Sequence, residues 1–289
     1  MIDDGYVTDD ARGDDWHLML GDSCERIAEL EPESVDLSVF SPPFASLYTY
    51  SPTLRDLGNS HSRDEFFDHF GFVIRGLWSV TKPGRIACVH VQQLTTSKAT
   101  HGVIGTTDFR GEVIREFQAN NWTYYGDITI DKDPQAQAIR TKAVCLMFVT
   151  LDRDQAVLRP ALADYLLVFK KPGENKVPVK SDVSREEWIK WAHPIWYDIN
   201  ETDTLNVRVA REDADERHIC PLQLGLIERC VRLWSNPGEL VFSPFAGIGS
   251  EGYVALQHKR RFVGIELKAS YWRTARDNLH KATAQLTLA

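Results

Sequence analysis

The segment VFSPPF at residues 39–44 is nearly repeated far downstream as VFSPF at residues 241–245. In both copies an apolar run, which is typical of a buried strand, ends at a Ser-Pro corner. The first copy continues into ASLY, with hydroxyl and aromatic side chains, and the second into the glycine-rich AGIGS. Ligands of parallel sheets bind at the carboxyl ends of the strands. If the two strands are neighbours, the two corners are predicted to form two walls of one site.

The rest of the chain alternates between apolar runs and amphipathic segments, which predicts an α/β fold. The sheet is expected to be mostly parallel, with helices on both faces. Strands are predicted at residues 16–20, 35–40, 85–91, 122–130, 164–169, 239–242 and 261–265. Helices are predicted at residues 24–30, 108–119, 221–234, 250–258 and 269–285, and a longer one is predicted between a capping box at residues 62–65 and a stop at Lys82-Pro83-Gly84.

The composition limits the classes of protein to which the chain can belong. Of its 289 residues 43% are hydrophobic, so a large core is expected and global disorder is not. The net charge of −8 argues against a protein wrapped in nucleic acid, but it allows a local basic cleft. The five cysteines have no C-x-x-C spacing, so neither a zinc site nor disulfides are expected.

The chain shows no signal for secretion or membrane insertion. Residues 1–14 are acidic and polar, and we expect a flexible N-terminal tail rather than a signal peptide. The longest apolar run, at residues 143–149, is too short to cross a bilayer. We therefore expect a soluble cytoplasmic protein with no membrane or metal partner.

The late corner, GIGSEG at residues 247–252, joins a strand to a helix. Glycines let the backbone turn tightly and approach a ligand closely. One strand later, Glu266 is placed to accept hydrogen bonds from the hydroxyls of a ribose. Taken singly, the glycines indicate no more than a tight turn. Together with Glu266 they predict an adenosine-bearing cofactor, and the literal G-x-G-x-x-G spacing keeps a dinucleotide open, although little chain follows for a nicotinamide half.

The early corner, Ser41-Pro42-Pro43-Phe44, suits a planar ligand that bears an amino group. Two prolines make a rigid, extended turn. The Ser41 hydroxyl and the Pro42 carbonyl can accept both hydrogens of an exocyclic amine, which frees the nitrogen lone pair to react. Phe44 can stack on the base, a contact worth roughly 1–3 kcal/mol. Taken alone, Ser-Pro-Pro is more simply a proline-stiffened loop.

These residues resemble a known family. Ser41-Pro42-Pro43-Phe44 resembles the catalytic D/N/S-P-P-Y/F/W tetrapeptide of DNA amino-methyltransferases, which methylate adenine N6 or cytosine N4. Residues 243–250, SPFAGIGS, resemble the D-P-F-x-G-x-G-T/S segment that binds S-adenosylmethionine in that family. Gly264-Ile265-Glu266 resembles the ribose-binding segment, residues 218–222 resemble a helix start that lines the cofactor pocket, and Gly21-Asp22 resembles a contact to the adenine end.

The resemblance implies a Rossmann-like methyltransferase fold in the circularly permuted order called the β class, and it decides against a dehydrogenase. It implies S-adenosylmethionine as cofactor, duplex DNA with a flipped base as substrate, and a homodimer as a common assembly. Ser243 stands where the family usually has Asp. At the position of Ser41, serine rather than aspartate is commoner among cytosine-N4 enzymes. The implied cofactor-binding residues are Asp22, His218, Pro221, Ser243, Pro244, Phe245, Gly247, Gly249, Ser250 and Glu266.

The resemblance also divides the chain into parts. Residues 15–171 are expected to form the catalytic part of one methyltransferase domain, and residues 218–289 its cofactor-binding part. Residues 172–217 interleave basic and aromatic side chains with many acids, so a target-recognition insert and an ordinary folded segment are about equally supported. The candidate DNA contacts are Tyr48, Arg55, Asn59, Arg208 and Arg211.

Two other functions remain open on the sequence. The same chemistry can act on RNA, and a chain with this fold can be a catalytically inactive DNA-binding protein, for which Ser243 is the supporting feature. The intact Ser41-Pro42-Pro43-Phe44 segment and Glu266 argue against inactivity. A stand-alone methyltransferase and the partner of a restriction enzyme look alike in this sequence.

Overall fold

The computed structural model of the protein describes residues 6–43, 55–60, 62–96, 98–141, 145–205 and 221–287. Within these ranges the chain forms one large sheet, a small two-stranded sheet and helices on both faces of the large one. The strands are β1 (Asp9–Arg12), β2 (Trp16–Leu20), β3 (Val35–Phe40), β4 (Thr81–Gln92), β5 (Leu94–Thr96), β6 (Gly105–Thr107), β7 (Thr123–Ile130), β8 (Asp164–Lys170), β9 (Ile195–Trp196), β10 (Leu240–Ser243) and β11 (Arg261–Glu266).

In the large sheet the two strands that precede the Ser-Pro segments, β3 and β10, lie side by side. Among the described residues its nine strands run in the order β1-β2-β11-β10-β3-β4-β8-β7-β9. The five strands β2, β11, β10, β3 and β4 are all parallel to one another. Strand β1 is antiparallel to β2, and β8 is antiparallel to both of its neighbours, β4 and β7. The prediction of a mostly parallel sheet is confirmed.

Helices cover both faces of the sheet. On one face α2 and α4 pack with Phe66, Phe70 and Phe117 against Val89 and its neighbours. On the other face α7, α8 and α9 pack against residues that alternate with these along the strands, so each central strand is buried on both sides. The helices are α1 (Ser23–Arg26), α2 (Arg63–Val80), α3 (Lys98–His101), α4 (Phe109–Ala119), α5 (Pro134–Thr141), α6 (Arg185–Trp191), α7 (Leu224–Trp234), α8 (Ser250–Gln257) and α9 (Ala269–Thr287).

The predicted helix start at Ser62 is confirmed, but the strand after that helix begins earlier than expected. The Ser62 hydroxyl accepts a hydrogen bond from the backbone N–H of Glu65 and caps α2. Strand β4 starts at Thr81 and includes the Lys82-Pro83-Gly84 segment that was expected to lie outside it. Proline is tolerated near the first residues of a strand, where its missing N–H removes no interior ladder bond.

The prediction of a flexible tail over residues 1–14 is wrong for residues 9–12. These residues form β1, which pairs antiparallel with β2 at the edge of the sheet. The guanidinium of buried Arg26 holds this strand, because it donates to the backbone carbonyl of Asp9 (3.1 Å) and to Oδ2 of Asp10 (2.9 Å). An edge strand of this kind needs no apolar side chains, so hydrophobicity did not reveal it.

The described part of the predicted insert, residues 172–205, is joined to the sheet. It forms α6 and then β9, which pairs parallel with β7 and extends the sheet by one strand. Trp191 and Trp196 are buried, and the indole N–H of Trp196 donates to the backbone carbonyl of Trp191 (3.0 Å). Trp188 is 52% exposed. Two of the three tryptophans therefore belong to the core, and one faces solvent.

Candidate functional site

The two Ser-Pro corners open at the same edge of the sheet. Strand β3 pairs parallel with β10, with Leu37 opposite Val241 and Ser38 opposite Phe242. Both strands therefore end at the same edge, and the predicted juxtaposition of the two corners is confirmed. Strand β11 lies on the other side of β10 and ends there with Glu266. Ligands of parallel sheets bind in a crevice at such strand ends, so we take these ends as the floor of one crevice.

The first corner presents a serine hydroxyl beside a buried proline. Ser41 is partly exposed and Pro42 is buried. The Ser41 hydroxyl donates to the backbone carbonyl of His90 (3.1 Å), and its Oγ also lies 3.4 Å from Nδ1 of the His90 ring. Phe44, the last residue of the predicted catalytic tetrapeptide, lies outside the described residues.

A buried charge cluster, which no sequence motif indicated, lies behind Ser41. Nε2 of His90 is 3.0 Å from Oδ2 of Asp164, and Nζ of Lys132 is 2.9 Å from the same oxygen. Burial raises the pKa of Asp164, but the hydrogen bond from His90 and the Lys132 charge outweigh it and lower the pKa to about 2. The available signal was a single His within the apolar run of β4, which is a weak one.

The second corner contains a buried hydroxyl that has no hydrogen-bond partner among the described residues. Ser243 is 0% exposed and its Oγ is unpaired. Its neighbour Pro244 is buried, and the Pro244 carbonyl accepts a short hydrogen bond from the Ser23 hydroxyl. The Phe245 ring lies 5.9 Å from that of Phe40. The corner is therefore anchored to α1 and to the core, which leaves Ser243 Oγ for a ligand.

Glycine is needed at two positions of the second corner for different structural reasons. Both have positive φ angles, 52° at Gly247 and 85° at Gly249, which residues other than glycine rarely adopt. A Cβ on Gly249 would lie 3.1 Å from Cβ of Ala275 in α9, so this glycine allows the close approach of α9. A Cβ on Gly247 would meet no atom within 4 Å. Gly247 therefore faces open space. Ser250, next to the turn, is buried, and its hydroxyl also has no hydrogen-bond partner among the described residues.

Glu266 lies next to the Gly247 backbone and is held by two backbone N–H groups. Gly247 donates to Oε2 (2.8 Å) and Lys268 donates to Oε1 (2.8 Å). Burial raises the pKa of Glu266 to about 7, and the charge of Asp56 acts in the same direction. Each oxygen of the carboxylate still has a lone pair available for a hydroxyl donor.

Glu251 is a second acidic side chain at this site, and it was not among the predicted site residues. It lies in the first turn of α8, directly after the glycine turn, and is 5% exposed. Burial raises its pKa to about 8, and the nearby charge of Glu266 adds to that shift. The sequence signal was its position inside GIGSEG, where the fingerprint itself assigns no role to that residue.

Asp22 and Arg55 meet at the start of α1. Oδ1 of Asp22 accepts from the backbone N–H of Cys24 (2.9 Å) and caps the helix. Arg55 Nη1 is 2.6 Å from Oε1 of Glu25 and 3.4 Å from Oδ2 of Asp22, and the guanidinium stacks on the Tyr6 ring. The structure therefore places Arg55, a predicted DNA contact, beside two carboxylates at the start of α1.

The other predicted site residues fall into two groups. Asn59 is described in a short 3-10 turn, where its backbone N–H donates to the carbonyl of Asp56 (2.8 Å), and Pro221 is partly buried just before α7. The remaining ones lie outside the described residues, and they are Phe44, Tyr48, Arg208, Arg211 and His218.

The crevice fits S-adenosylmethionine. The unpaired hydroxyls of Ser243 and Ser250 are buried polar groups that need a partner. Glu266 offers acceptors for ribose hydroxyls, and the open space at Gly247 gives room for a ligand against the backbone. Within the described ranges no group of three or more His, Cys, Asp or Glu side chains is arranged to hold a metal ion. None of the helices in those ranges is long and apolar enough to cross a membrane.

The fold and this crevice define a methyltransferase of the Rossmann-like class. The profile of the family described as DNA methylase, N6_N4_Mtase, matches residues 35–277, which is most of the chain. The protein therefore belongs to this family of DNA methyltransferases, which transfer a methyl group from S-adenosylmethionine to an amino group. The expectations of an enzyme, of this cofactor and of this reaction are confirmed.

Two curated relatives are type II methyltransferases. M.MjaI of Methanocaldococcus jannaschii is 22% identical over 285 residues, and the match covers 88% of each chain. M.BglI of Bacillus subtilis is 31% identical over 117 residues, which are 40% of this chain and 30% of that protein. The match to M.MjaI thus extends over nearly the whole chain, and the match to M.BglI is local.

Two solved structures share the fold. TTHA0409 of Thermus thermophilus, a putative DNA modification methylase in complex with S-adenosyl-L-methionine, has a TM-score of 0.67 and 22% identity, and the match covers 91% of this chain and 94% of that one. The cytosine-N4-specific PvuII DNA methyltransferase has a TM-score of 0.64 and 19% identity, with 94% and 92% covered.

Proposed function

We propose that the chain methylates the exocyclic amino group of a base flipped out of duplex DNA, and that Ser41-Pro42-Pro43-Phe44 holds this amino group. The observation that carries the proposal is the parallel pairing of β3 with β10, which joins the Ser41 corner and the Glu266 crevice in one site. An amino-binding corner is then next to a nucleoside-binding one. Flipping costs a few kcal/mol, because the base must leave its stack and its pairing partner.

The first corner orients the amine. Ser41 Oγ and the Pro42 carbonyl accept its two hydrogens, which draws the nitrogen towards a tetrahedral geometry and frees its lone pair. Phe44 stacks on the base and keeps its plane fixed. S-adenosylmethionine, when bound, supplies a methyl group that is electrophilic because it is attached to a positively charged sulfur. The protein contributes mainly positioning and charge complementarity, and no covalent enzyme intermediate is needed.

The second corner binds the cofactor. Glu266 accepts hydrogen bonds from the ribose hydroxyls, and the backbone at Gly247 and Gly249 lies against the methionine part. Ser243 Oγ and Ser250 Oγ supply hydrogen bonds in a region where the family usually has a negative charge from Asp. The wider set assigned to cofactor binding is completed by Asp22, His218, Pro221, Pro244 and Phe245.

The target base is proposed to be the cytosine N4 amine or the adenine N6 amine, with Ser41 favouring cytosine by resemblance. The structural likeness to the cytosine-N4-specific PvuII enzyme is compatible with that preference, although at 19% identity it shows the fold alone. A single experiment decides the base. Purified protein is incubated with tritiated S-adenosylmethionine and unmethylated genomic DNA, and the nucleosides are then identified by mass spectrometry.

The expected product is N4-methylcytosine or N6-methyladenine, formed at least about 100-fold more slowly by the Ser41→Ala variant. A matched reaction with total RNA tests the alternative substrate. If cofactor binding is measurable but neither DNA nor RNA is methylated, the proposal fails and an inactive DNA-binding protein is left. If RNA is methylated and DNA is not, the assignment of duplex DNA to this chain is wrong.

For DNA contact we propose the segment at residues 172–217, with Arg208 and Arg211, and the segment after the first corner, with Tyr48 and Asn59. Each phosphate contact that is lost should reduce the slope of log affinity against log salt concentration by about 0.9. Fluorescence anisotropy with a labelled duplex at several salt concentrations measures this slope for Arg208→Ala and Arg211→Ala. The control is Lys281→Ala on the exposed side of α9, and equal slopes in all three variants would remove the assignment.

A further inference from the structure

Four neighbouring strands each provide one polar side chain at the edge of the sheet where the crevice opens. β3, β4, β8 and β7 lie side by side in that order. Strands β3 and β4 end at this edge, β8 begins there because it is antiparallel to β4, and β7 ends there because it is antiparallel to β8. The side chains, at or just beyond these strand ends, belong to Ser41, His90, Asp164 and Lys132.

These side chains form a continuous path of polar contacts from the crevice into the interior. Ser41 is partly exposed, His90 is 7% and Asp164 4% exposed, and the Lys132 side chain is 0% exposed. The path runs from Ser41 Oγ to His90 Nδ1 (3.4 Å), from His90 Nε2 to Asp164 Oδ2 (3.0 Å) and from that oxygen to Lys132 Nζ (2.9 Å). Burying the charged group of a lysine is costly, and the Asp164 carboxylate provides Lys132 with a counter-charge.

The contacts decide which ring nitrogen of His90 carries a proton. An ionised carboxylate only accepts hydrogen bonds, so the nitrogen that faces Asp164, Nε2, must be the protonated one. In the neutral ring Nδ1 then has a free lone pair, and this lone pair faces the Ser41 hydroxyl. The same three groups in the same order, with the two ring nitrogens exchanged, move protons in Ser-His-Asp hydrolases.

Ser41 has one hydroxyl proton and two acceptors for it on the side of the protein. They are the backbone carbonyl of His90 at 3.1 Å and Nδ1 of the same residue at 3.4 Å. With the proton turned to either acceptor, the remaining lone pair of Oγ is left for the crevice. Ser41 then accepts a hydrogen bond from an amino group in the crevice and does not compete with it as a donor.

We propose that His90, held by Asp164 and Lys132, is a positioning residue that keeps Ser41 as an acceptor and takes up, through Ser41, the proton that the target amine loses. This inference rests on the proposed methyl transfer at the Ser41 corner. In that transfer an N–C bond forms at the amine, while the S–C bond of the donor breaks and leaves its electron pair on sulfur. The nitrogen then carries one proton too many.

The proton balance is complete within the described residues. The amine proton passes to Ser41 Oγ while the hydroxyl proton of Ser41 passes to Nδ1 of His90. Ser41 ends neutral and unchanged, and His90 ends as an imidazolium beside the Asp164 carboxylate. The imidazolium returns its proton to solvent through the open crevice after the product has left.

The charges around His90 favour this uptake. Asp164 contacts the ring directly, and Lys132 Nζ lies 3.8 Å from Oε2 of Glu201 on its other side. With both acids ionised and Lys132 protonated, the three side chains carry one net negative charge, which the imidazolium neutralises. The cluster is therefore better balanced after the proton transfer than before it.

The other elements that pack near His90 add no unpaired charge in the described ranges. From α7, on the same face of the sheet, Arg229 pairs with Asp198 (2.7 Å). Val89 and Val91, which flank His90 on β4, point to the opposite face, so the charged residues of α2 and α4 lie across the sheet.

The test uses His90→Gln, with His69→Gln on the exposed side of α2 as the matched control. Glutamine can still hydrogen-bond but cannot take up a proton at neutral pH. Single-turnover methylation of DNA is measured from pH 5.5 to 9, together with the dissociation constant of S-adenosylmethionine. We expect the rate of the wild type to fall on acidification, because Nδ1 of His90 can accept the Ser41 proton only while it carries none. The His90→Gln variant should be on the order of 100-fold slower, without that acid limb and with cofactor affinity unchanged within about twofold.

A second readout does not depend on turnover. In protein labelled with ¹⁵N-histidine, His90 is assigned by the resonances that His90→Gln removes. At pH 8 we expect a proton on Nε2 and none on Nδ1, with a shift of the Nδ1 resonance in Ser41→Ala. A protonated Nδ1 at pH 8 overturns the inference, as does a His90→Gln variant with the wild-type rate and pH profile. If the wild-type protein itself does not methylate DNA, the proposed function fails instead, and the tautomer measurement still tests the arrangement at His90.

Discussion

Replacing Glu251 by Gln should change how the stability of the protein depends on pH. Glu251 is 5% exposed, and burial together with the charge of Glu266 raises its pKa to about 8, against 4.5 for an unperturbed Glu. Below pH 4.5 the side chain is protonated in both the folded and the unfolded state. Between pH 4.5 and 8 the unfolded chain has released this proton and the folded protein still holds it, so raising the pH favours unfolding.

The size of the effect follows from that difference. One pKa unit corresponds to about 1.4 kcal/mol, so Glu251 alone lowers the free energy of unfolding by about 5 kcal/mol between pH 4.5 and pH 8. Glutamine does not titrate, and the Glu251→Gln variant should lose this part of the pH dependence. Glu266, whose pKa is also raised, stays in both proteins and contributes a smaller slope of the same sign.

The assay is urea unfolding at pH 5.5, 7 and 8.5, with the free energy of unfolding extrapolated to water at each pH. The difference in stability between Glu251→Gln and wild type should move in favour of the variant by roughly 3 kcal/mol from the lowest to the highest pH. Glu186→Gln, on the exposed side of α6, is the control and should follow the wild-type curve. Parallel curves for Glu251→Gln and wild type would refute the argument, because they would mean that Glu251 is ionised in the folded protein.

The other predictions concern the two corners and the buried cluster. Ser41→Ala should reduce single-turnover methylation at least about 100-fold and leave the dissociation constant of S-adenosylmethionine within about twofold, as measured by calorimetry. Glu266→Gln should weaken cofactor binding by about tenfold for each hydrogen bond to a hydroxyl that is lost, and unchanged binding would exclude it from the ribose site. Gly249→Val should destabilise the protein, because φ is 85° and a Cβ would lie 3.1 Å from Ala275; an unchanged Tm would contradict this. Asp164→Asn should cost up to about 3–5 kcal/mol in urea unfolding, since it leaves the buried Lys132 with only Glu201, 3.8 Å away, as a counter-charge. In wild type the stabilising effect of Asp164 should disappear as the pH falls from 3.8 through about 2.

Much of the cofactor site could be predicted because it is local in the sequence. The turn at Gly247 and Gly249 needs positive φ angles that glycine adopts readily, and the following helix starts at once. Glu266 stands at the end of the next strand, and the carboxyl ends of neighbouring parallel strands meet at the same edge of the sheet. In such a segment the chemistry of a few consecutive residues and the direction of one strand determine the geometry.

The edges of the fold were predicted less well, because their stability comes from partners far away in the chain. Strand β1 is polar and resembles a tail, but backbone pairing with β2 and the guanidinium of Arg26 hold it in the sheet. Strand β9 lies in a charged segment, and it joins the sheet through β7 and the burial of Trp196. Neither arrangement leaves a periodic pattern of apolar residues.

The sequence by itself determined the two corners, their strand-ending position, the cofactor and the family, because each depends on a short run of residues whose backbone and side-chain chemistry act locally. Only the tertiary structure decided what surrounds them. His90, Asp164 and Lys132 come from three strands whose order in the sheet differs from their order in the chain, so no spacing in the sequence could show that they lie behind Ser41. Arg55, a predicted DNA contact, is brought by folding beside Asp22 and Glu25, which no spacing in the sequence indicates. Electrostatic coupling depends on distance in space and on burial, and both are set by the sheet.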